Sequence, residues 1–296
     1  MSTGVPATAA GRRLLRTATA LAAACCALVL VTGCAERGAA ADSGSAAAAG
    51  PGGAKGVAAD PAAAVRDAAD VLVRAGSSRV DTSMRMASGG TWVTVTGTGG
   101  FDYARRQGEL TLVLPSDAAG AQEHKPVTEL LTPGALYMKD RGEGVPAGKW
   151  VRVDTTTLPD GNLVTGGATE PLAAAELLLG ARDVVLVGTE KLPGAAAVRH
   201  FRGVADIAEA ARAAEPGAPG ALTAAAKGFA VTAVPFDAWL DGEGRLRRLT
   251  EQFTFGARGR GVGVTSTTVF DGFGAGVAVA LPRGEDIWAG KIVSSP

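Results

Sequence analysis

The 296-residue sequence contains few of the residues from which disulfide frameworks, metal sites and catalytic centres are usually built. It has three cysteines and two histidines, and aromatic residues make up 5% of the chain. Cys25 and Cys26 lie in a segment that we expect to be removed on export, so the mature chain keeps one cysteine and forms no internal disulfide. His124 falls in a polar loop and His200 on a predicted strand, and neither has the spacing of a metal or catalytic site. The sequence therefore predicts no metal, no cofactor and no catalytic residue.

An excess of positive charge is also missing. Lys+Arg and Asp+Glu number 29 each, and three of the basic residues, Arg12, Arg13 and Arg16, precede residue 34 without any acid among them. The remaining 26 bases against 29 acids give a net charge near −3, which favours neither nucleic acid nor anionic headgroups as a general partner. The nucleophile elbow, the phosphate-binding loop and the HExxH zinc motif are absent as well, so we expect no enzyme.

The N-terminus has the pattern of an exported protein. The three arginines precede an uncharged stretch of Ala, Leu and Val at 17–31, which is too short for the roughly 20 residues that span a bilayer. The stretch therefore predicts a signal peptide over 1–33. Arg12 and Arg13 resemble a twin-arginine signal, but the residues after them fit that pattern poorly, so the export route stays open.

The residues VTGC at 31–34 resemble a bacterial lipobox, which implies cleavage after Gly33 and lipidation of Cys34. Acyl chains contribute about 0.8 kcal/mol per buried CH₂, so two or three of them hold a protein firmly on a membrane. The resemblance predicts a lipid-anchored protein on the extracytoplasmic face of the cell membrane. A plain secretory signal with a chance cysteine and an N-terminal membrane helix are the alternatives.

Residues 34–60 follow as a tether of mostly Ala, Gly and Ser, a composition that buries too little apolar surface to offset the entropy of ordering it. The folded part is predicted over 61–296. It begins with a helix to about Arg74, which Asp60 caps and Pro61 starts. Period-two alternation then predicts nine to eleven strands, interrupted by helices at 170–179 and 206–214. The strands are expected at 80–86, 93–103, 109–115, 136–138, 150–154, 184–187, 198–204, 236–240, 249–255, 262–270 and 277–281.

Three short motifs follow the lipobox and tether in a specific order: KWVRVD at 149–154, WLDGEG at 239–244 and FDGFG at 270–274. This order resembles the LppX/LprG group of actinobacterial lipoproteins, whose fold is similar to those of the carrier LolA and the sensor RseB. The resemblance implies an α+β fold in which a curved antiparallel half-barrel sheet is covered on its concave face by helices. It also implies an apolar cavity beneath those helices.

Every second residue of a strand faces the same side of the sheet, so the concave face can be read from the alternation. The residues predicted to bind a hydrophobic ligand are Val80, Met84, Met86, Val93, Val95, Leu110, Leu112, Leu114, Leu136, Met138, Phe253 and Phe255 on strands, with Leu177 and Leu178 on a covering helix. Alternating apolar residues are equally compatible with a filled core, so pocket and core both stay open at these positions.

We expect a non-enzymatic carrier that binds a lipid or lipoconjugate and transports it across the cell envelope. A sensor or interaction lipoprotein that contacts a membrane protein is the alternative, and an envelope hydrolase without a recognisable motif is a third.

Overall fold

The structure is a computed structural model that describes residues 60–88, 90–115, 125–142, 144–214, 220–255 and 261–290. The predicted signal peptide, the lipobox with Cys34, most of the tether and His124 lie outside the described residues. The α-helices are Pro61–Arg66 (α1), Ala68–Ala75 (α2), Pro171–Leu177 (α3), Ile207–Ala213 (α4) and Ala221–Gly228 (α5). The strands are Ser77–Ser88 (β1), Thr91–Asp102 (β2), Gln107–Val113 (β3), Val127–Thr132 (β4), Ala135–Lys139 (β5), Trp150–Asp154 (β6), Ala181–Lys191 (β7), Ala197–Asp206 (β8), Ala233–Leu240 (β9), Leu246–Phe255 (β10) and Val262–Asp271 (β11).

All eleven strands form one antiparallel sheet in the order β6-β5-β4-β3-β2-β1-β11-β10-β9-β8-β7. The chain first winds outwards from β1 to β6 and then returns from β7 to β11, which pairs with β1 at the centre. The sheet is open, since β6 and β7 are its two edges, and it has the predicted half-barrel form with helices on its concave face. The predicted α+β fold class is confirmed.

The concave face follows from the alternation in the sequence. On β3, Gly108, Leu110 and Leu112 are buried while Glu109 and Thr111 are exposed. Because successive residues of a strand point to opposite faces, each strand of this kind presents one apolar row to the core and one polar row to solvent.

The segment 155–180 crosses the whole concave face, because β6 and β7 lie at opposite edges of the sheet. Helix α3 is part of this crossing, and six of its seven residues are buried. All residues of α3 except Glu176 are apolar, and the helix accordingly packs with the inward-facing residues of the strands. None of the helices among the described residues is long and apolar enough to cross a bilayer.

One predicted helix is divided in the structure, and one helix was not predicted. The helix expected from Pro61 to Arg74 is two helices, because Asp67 ends α1 and begins α2. The Ala-rich helix α5 was not predicted.

The strand predicted at 277–281 is also wrong. This segment does not join the sheet, since β1 and β11 are already paired on both sides and a further strand could pair only with an edge. Instead it follows β11 onto the outer face, where Ser77 Oγ donates a hydrogen bond to the Ala275 carbonyl (2.6 Å). The chain then continues to the edge strand β6, where Trp288 N donates a hydrogen bond to the Trp150 carbonyl (2.7 Å).

Candidate functional site: an apolar cavity under the crossing segment

A cavity of about 530 Å³ lies between the concave face of the sheet and the crossing segment. It is formed where β1 ends and β2 begins, and where β10 ends and β11 begins. Its lining residues are Met86, Ala87, Val93, Val95, Leu114, Pro115, Arg141, Val164, Thr165, Gly167, Phe255, Val262 and Val264.

The strand register brings the wall of the cavity together. Met86 of β1 lies between Val93 of β2 and Val264 of β11, and Phe255 pairs with Val262 across the next strand boundary. These residues come from two distant hairpins, β1–β2 and β10–β11, and meet because the two winding halves of the sheet join at the β1–β11 pair. An apolar wall results at one end of the half-barrel.

The roof of the cavity is the part of the crossing segment that contains Val164, Thr165 and Gly167. Buried Asp160 holds this turn in place, because its carboxylate accepts hydrogen bonds from the backbone N–H groups of Val164 (2.9 Å) and Thr165 (2.7 Å). A short acidic side chain that accepts from nearby backbone groups is a common way to stabilise a turn. The roof is therefore a fixed loop rather than a helix.

A second contact ties the roof to the sheet. Thr169 Oγ1 donates a hydrogen bond to the Leu163 carbonyl (2.8 Å) and lies 2.8 Å from Ser266 Oγ on β11. Leu163 and Thr169 belong to the crossing segment, and Ser266 belongs to the strand beneath it. These contacts therefore fix the distance between the loop and the sheet. The space below it stays open.

The predicted ligand-binding residues divide into two groups. Met86, Val93, Val95, Leu114 and Phe255 line the cavity. The other group is packed in the core, each residue at most 2% exposed: Val80, Met84, Leu110, Leu112, Leu136, Leu177, Leu178 and Phe253. Met138 is half-buried against the same core. The alternation of apolar residues identified the inner face of the sheet. The position of the crossing segment decides which part of that face is filled. The ligand-binding role of the five cavity residues stays a prediction.

Sequence reasoning missed the roof and one charged residue of the lining, Arg141. Gly166 and Gly167 are the only sign of the roof in the sequence, and Gly167 adopts φ +99°, a conformation that favours glycine. A β-carbon at Gly167 would lie about 3.5 Å from side-chain atoms of Val95 and Leu112, so the backbone itself comes close to the sheet here. Arg141 lies in the connection after β5, where no periodic pattern assigns a direction to its side chain.

Arg141 has two partners among the described residues. Its Nη1 donates a hydrogen bond to the Gly166 carbonyl of the roof (2.7 Å) and lies 3.8 Å from Oε1 of Glu129. Glu129 is on the inner face of β4, fully buried, and neither of its carboxyl oxygens has a hydrogen-bond partner among the described residues. Burial raises the pKa of Glu129 to about 8, although the nearby charge of Arg141 acts to lower it. Burial also raises the pKa of Glu251, on the inner face of β10, well above its usual range.

His200 lies on the outer face, away from this cavity. Its Nδ1 is 2.8 Å from Glu190 Oε1 and its Nε2 is 2.6 Å from Asp237 Oδ1, while the ring stacks on Trp239 with centroids 4.3 Å apart. Both ring nitrogens are occupied and the residue is 6% exposed. His200 is therefore held between two carboxylates on the outer face.

Comparison with solved structures identified proteins of similar architecture. The lipoprotein LppX of Mycobacterium tuberculosis is 13% identical over 74% of this chain and 98% of its own, with a TM-score of 0.46. LprF of Mycobacterium bovis is 15% identical over 76% and 97%, with a TM-score of 0.40. A LolA-superfamily protein of Nitrosomonas europaea is 11% identical over 74% and 94%, with a TM-score of 0.33. These structures include the LppX and LolA-superfamily proteins that the sequence motifs resemble. At these identities the similarity concerns the fold alone.

Comparisons of the sequence itself gave no match, either to a family model or to a curated protein.

Proposed function

We propose that this chain is a non-enzymatic, membrane-anchored lipoprotein that binds a lipid or another hydrophobic ligand and carries it across the cell envelope. The observation that supports the proposal is the cavity of about 530 Å³ with its largely apolar wall. Sites for small hydrophobic molecules typically occupy about 300–1,000 Å³ and have few polar groups in their lining. An acyl chain placed there would leave water for a surface of Met, Val, Leu and Phe side chains, and burial of apolar area favours that transfer.

The anchor and the location are parts of the same proposal. Acylated Cys34 would hold the protein on the extracytoplasmic face of the cell membrane, and the tether to residue 60 would let the cavity reach the bilayer or an acceptor. The anchor would keep the protein near its lipid source, and the cavity would shield the lipid from water.

A cavity-filling substitution tests the proposal. The chain from residue 35 onwards, which contains the whole sheet and all the described helices, should release lipid on organic extraction and bind a fluorescent fatty acid. Val93→Trp would place an indole ring in the cavity, and overpacking of this kind costs about 1–3 kcal/mol. We expect the affinity for the fatty acid to fall about ten- to hundredfold.

Val113→Trp is the matched control, because Val113 lies on the outer face of β3 and is 51% exposed. It adds the same indole on the exposed face opposite the cavity and should leave binding unchanged. A wild-type chain that releases no lipid and binds no fatty acid would contradict the carrier function.

A second function, contact with a membrane protein partner, is favoured by the edge strand β7. Val185, Leu186 and Val187 are each about half exposed there, on a strand with only one neighbour in the sheet. Exposed apolar edge strands are usually protected in proteins that do not use them for association. If β7 binds a partner, Leu186→Lys should abolish a stable complex recovered from membranes, whereas Val93→Trp should not affect it.

A further inference from the structure

We propose that the ligand carries a negatively charged oxyanion, a carboxylate or a phosphate, which pairs with Arg141 at the wall of the apolar cavity. This inference rests on the proposed lipid-binding function and adds the chemical class of the headgroup.

The first argument is the position of the guanidinium. Arg141 is the charged member of the cavity lining, and the other twelve residues of that lining are neutral. The preceding residue, Asp140, has φ +60° and turns the chain directly after β5. The Arg141 side chain then reaches the roof, where the Gly166 carbonyl accepts a hydrogen bond from its Nη1. The cation is thus held in place before any ligand binds.

The second argument is the open space beside the guanidinium. The position of a β-carbon on Gly167 would be 3.7 Å from Arg141 Nη1, so a side chain there would occupy the space next to the cation. Glycine leaves that space to the cavity. The Arg141 side chain is 32% exposed, which means that a group entering the cavity can reach it.

The third argument is charge balance. A guanidinium has five N–H donors, and the Gly166 carbonyl accepts from one of its nitrogens. Glu129 lies 3.8 Å away, which is beyond hydrogen-bonding distance, and its burial favours the protonated carboxyl at neutral pH. A protonated Glu129 does not neutralise Arg141. A bidentate oxyanion provides a negative charge for the donors of Arg141 that the Gly166 carbonyl does not use.

A purely structural role is the competing explanation, in which Arg141 only holds the roof loop above the sheet. The two explanations differ in what a substitution does to neutral ligands. Loss of a roof contact would weaken acidic and neutral ligands alike, whereas loss of an anion partner would weaken the acidic ligand alone.

The test compares cis-parinaric acid with its methyl ester, two fluorescent probes that share one acyl chain and differ in charge. The wild-type chain from residue 35 onwards should prefer the acid. Removal of a hydrogen bond to a charged group costs about 1.5–3 kcal/mol, so Arg141→Gln should weaken binding of the acid about ten- to hundredfold. Binding of the ester should be unchanged. Arg141→Lys should restore part of the preference, since lysine keeps the charge but not the bidentate geometry.

Arg85→Gln is the matched control. Arg85 precedes the cavity residue Met86 on β1, but it is exposed on the outer face, where its guanidinium lies 4.2 Å from the centre of the Trp92 ring. The substitution removes the same charge at the same end of the sheet and should leave both probes unaffected. Displacement of the probe by palmitic acid, lysophosphatidic acid and monopalmitoylglycerol then distinguishes the two oxyanions. Better competition by either acid than by the neutral glyceride supports the inference and identifies the carboxylate or the phosphate as its source.

Equal affinity of the wild-type chain for acid and ester would overturn the inference and leave the lipid-binding function intact. The same conclusion follows if Arg141→Gln weakens both probes equally, because Arg141 would then act only on the roof. Binding of neither probe would overturn both proposals. If Arg141→Gln does not fold, the comparison of acid with ester on the wild-type chain decides by itself.

Discussion

Replacement of the buried Glu129 by glutamine should stabilise the protein increasingly as the pH rises. Glu129 is 0% exposed, and burial raises its pKa from the usual 4.5 to about 8. Between these two values the unfolded chain loses the proton while the folded chain keeps it, so the free energy of unfolding falls with increasing pH. Each pKa unit corresponds to about 1.4 kcal/mol, which gives a loss of about 5 kcal/mol between pH 4.5 and 8.

This loss is large compared with the total stability of a typical domain, about 5–15 kcal/mol. Glu129→Gln cannot ionise and should not show it. The difference in unfolding free energy between the variant and the wild type should therefore be smallest below pH 4.5, rise through pH 8 and stay constant above it. Glu251, whose pKa is also raised by burial, contributes equally to both proteins and cancels in the difference.

Urea denaturation followed by the fluorescence of the four tryptophans, at unit steps from pH 4 to 9, measures these free energies. Glu109→Gln is the control, because Glu109 is exposed on the outer face of β3 and should give the same difference at every pH. A pH-independent difference for Glu129→Gln would refute the reasoning. Glu129 would then be ionised in the folded protein and would balance Arg141, which would also remove the charge argument for an anionic ligand.

Two further predictions concern the anchor and the packing of the crossing segment. Cys34→Ala should abolish incorporation of labelled palmitate and move the protein from the detergent phase to the aqueous phase in a Triton X-114 partition; continued labelling would show that the lipobox interpretation is wrong. Gly228→Ala should lower the unfolding free energy by about 1–3 kcal/mol in thermal or urea denaturation, because its β-carbon would overlap the carbonyl of Pro159. Gly263→Ala, where a β-carbon meets open space, should change stability little, and equal effects of the two substitutions would contradict the packing argument.

Local rules were sufficient for much of the fold. Asp60 accepts a hydrogen bond from Ala62 N at the start of α1, as its place before Pro61 predicted. The hairpin around 241–244 is present between β9 and β10, where Asp241 accepts from the N–H groups of Glu243 and Arg245. These features depend on residues within a few positions of one another, so the sequence contains the information needed to predict them.

Long-range placement was not predictable in the same way. The segment 277–281 has the alternation of a strand, yet the sheet has no free position beside β11, and the segment lies on the outer face. Arg141 follows a strand as an ordinary loop residue, and only the crossing of 155–180 over the sheet brings the Gly166 carbonyl within 2.7 Å of it. Both outcomes depend on strand order, which local patterns do not encode.

The sequence by itself determined which side chains face the interior of this protein, because the two-residue period of a strand assigns every alternate residue to one face. It could not determine which of those side chains would touch one another and which would border empty space. Leu110 and Val93 belong to the same inward-facing set, yet Leu110 is packed in the core and Val93 is half-buried and lines the cavity. The tertiary structure decided between them, because the crossing segment fills one end of the half-barrel with α3 and spans the other with a loop held above the sheet.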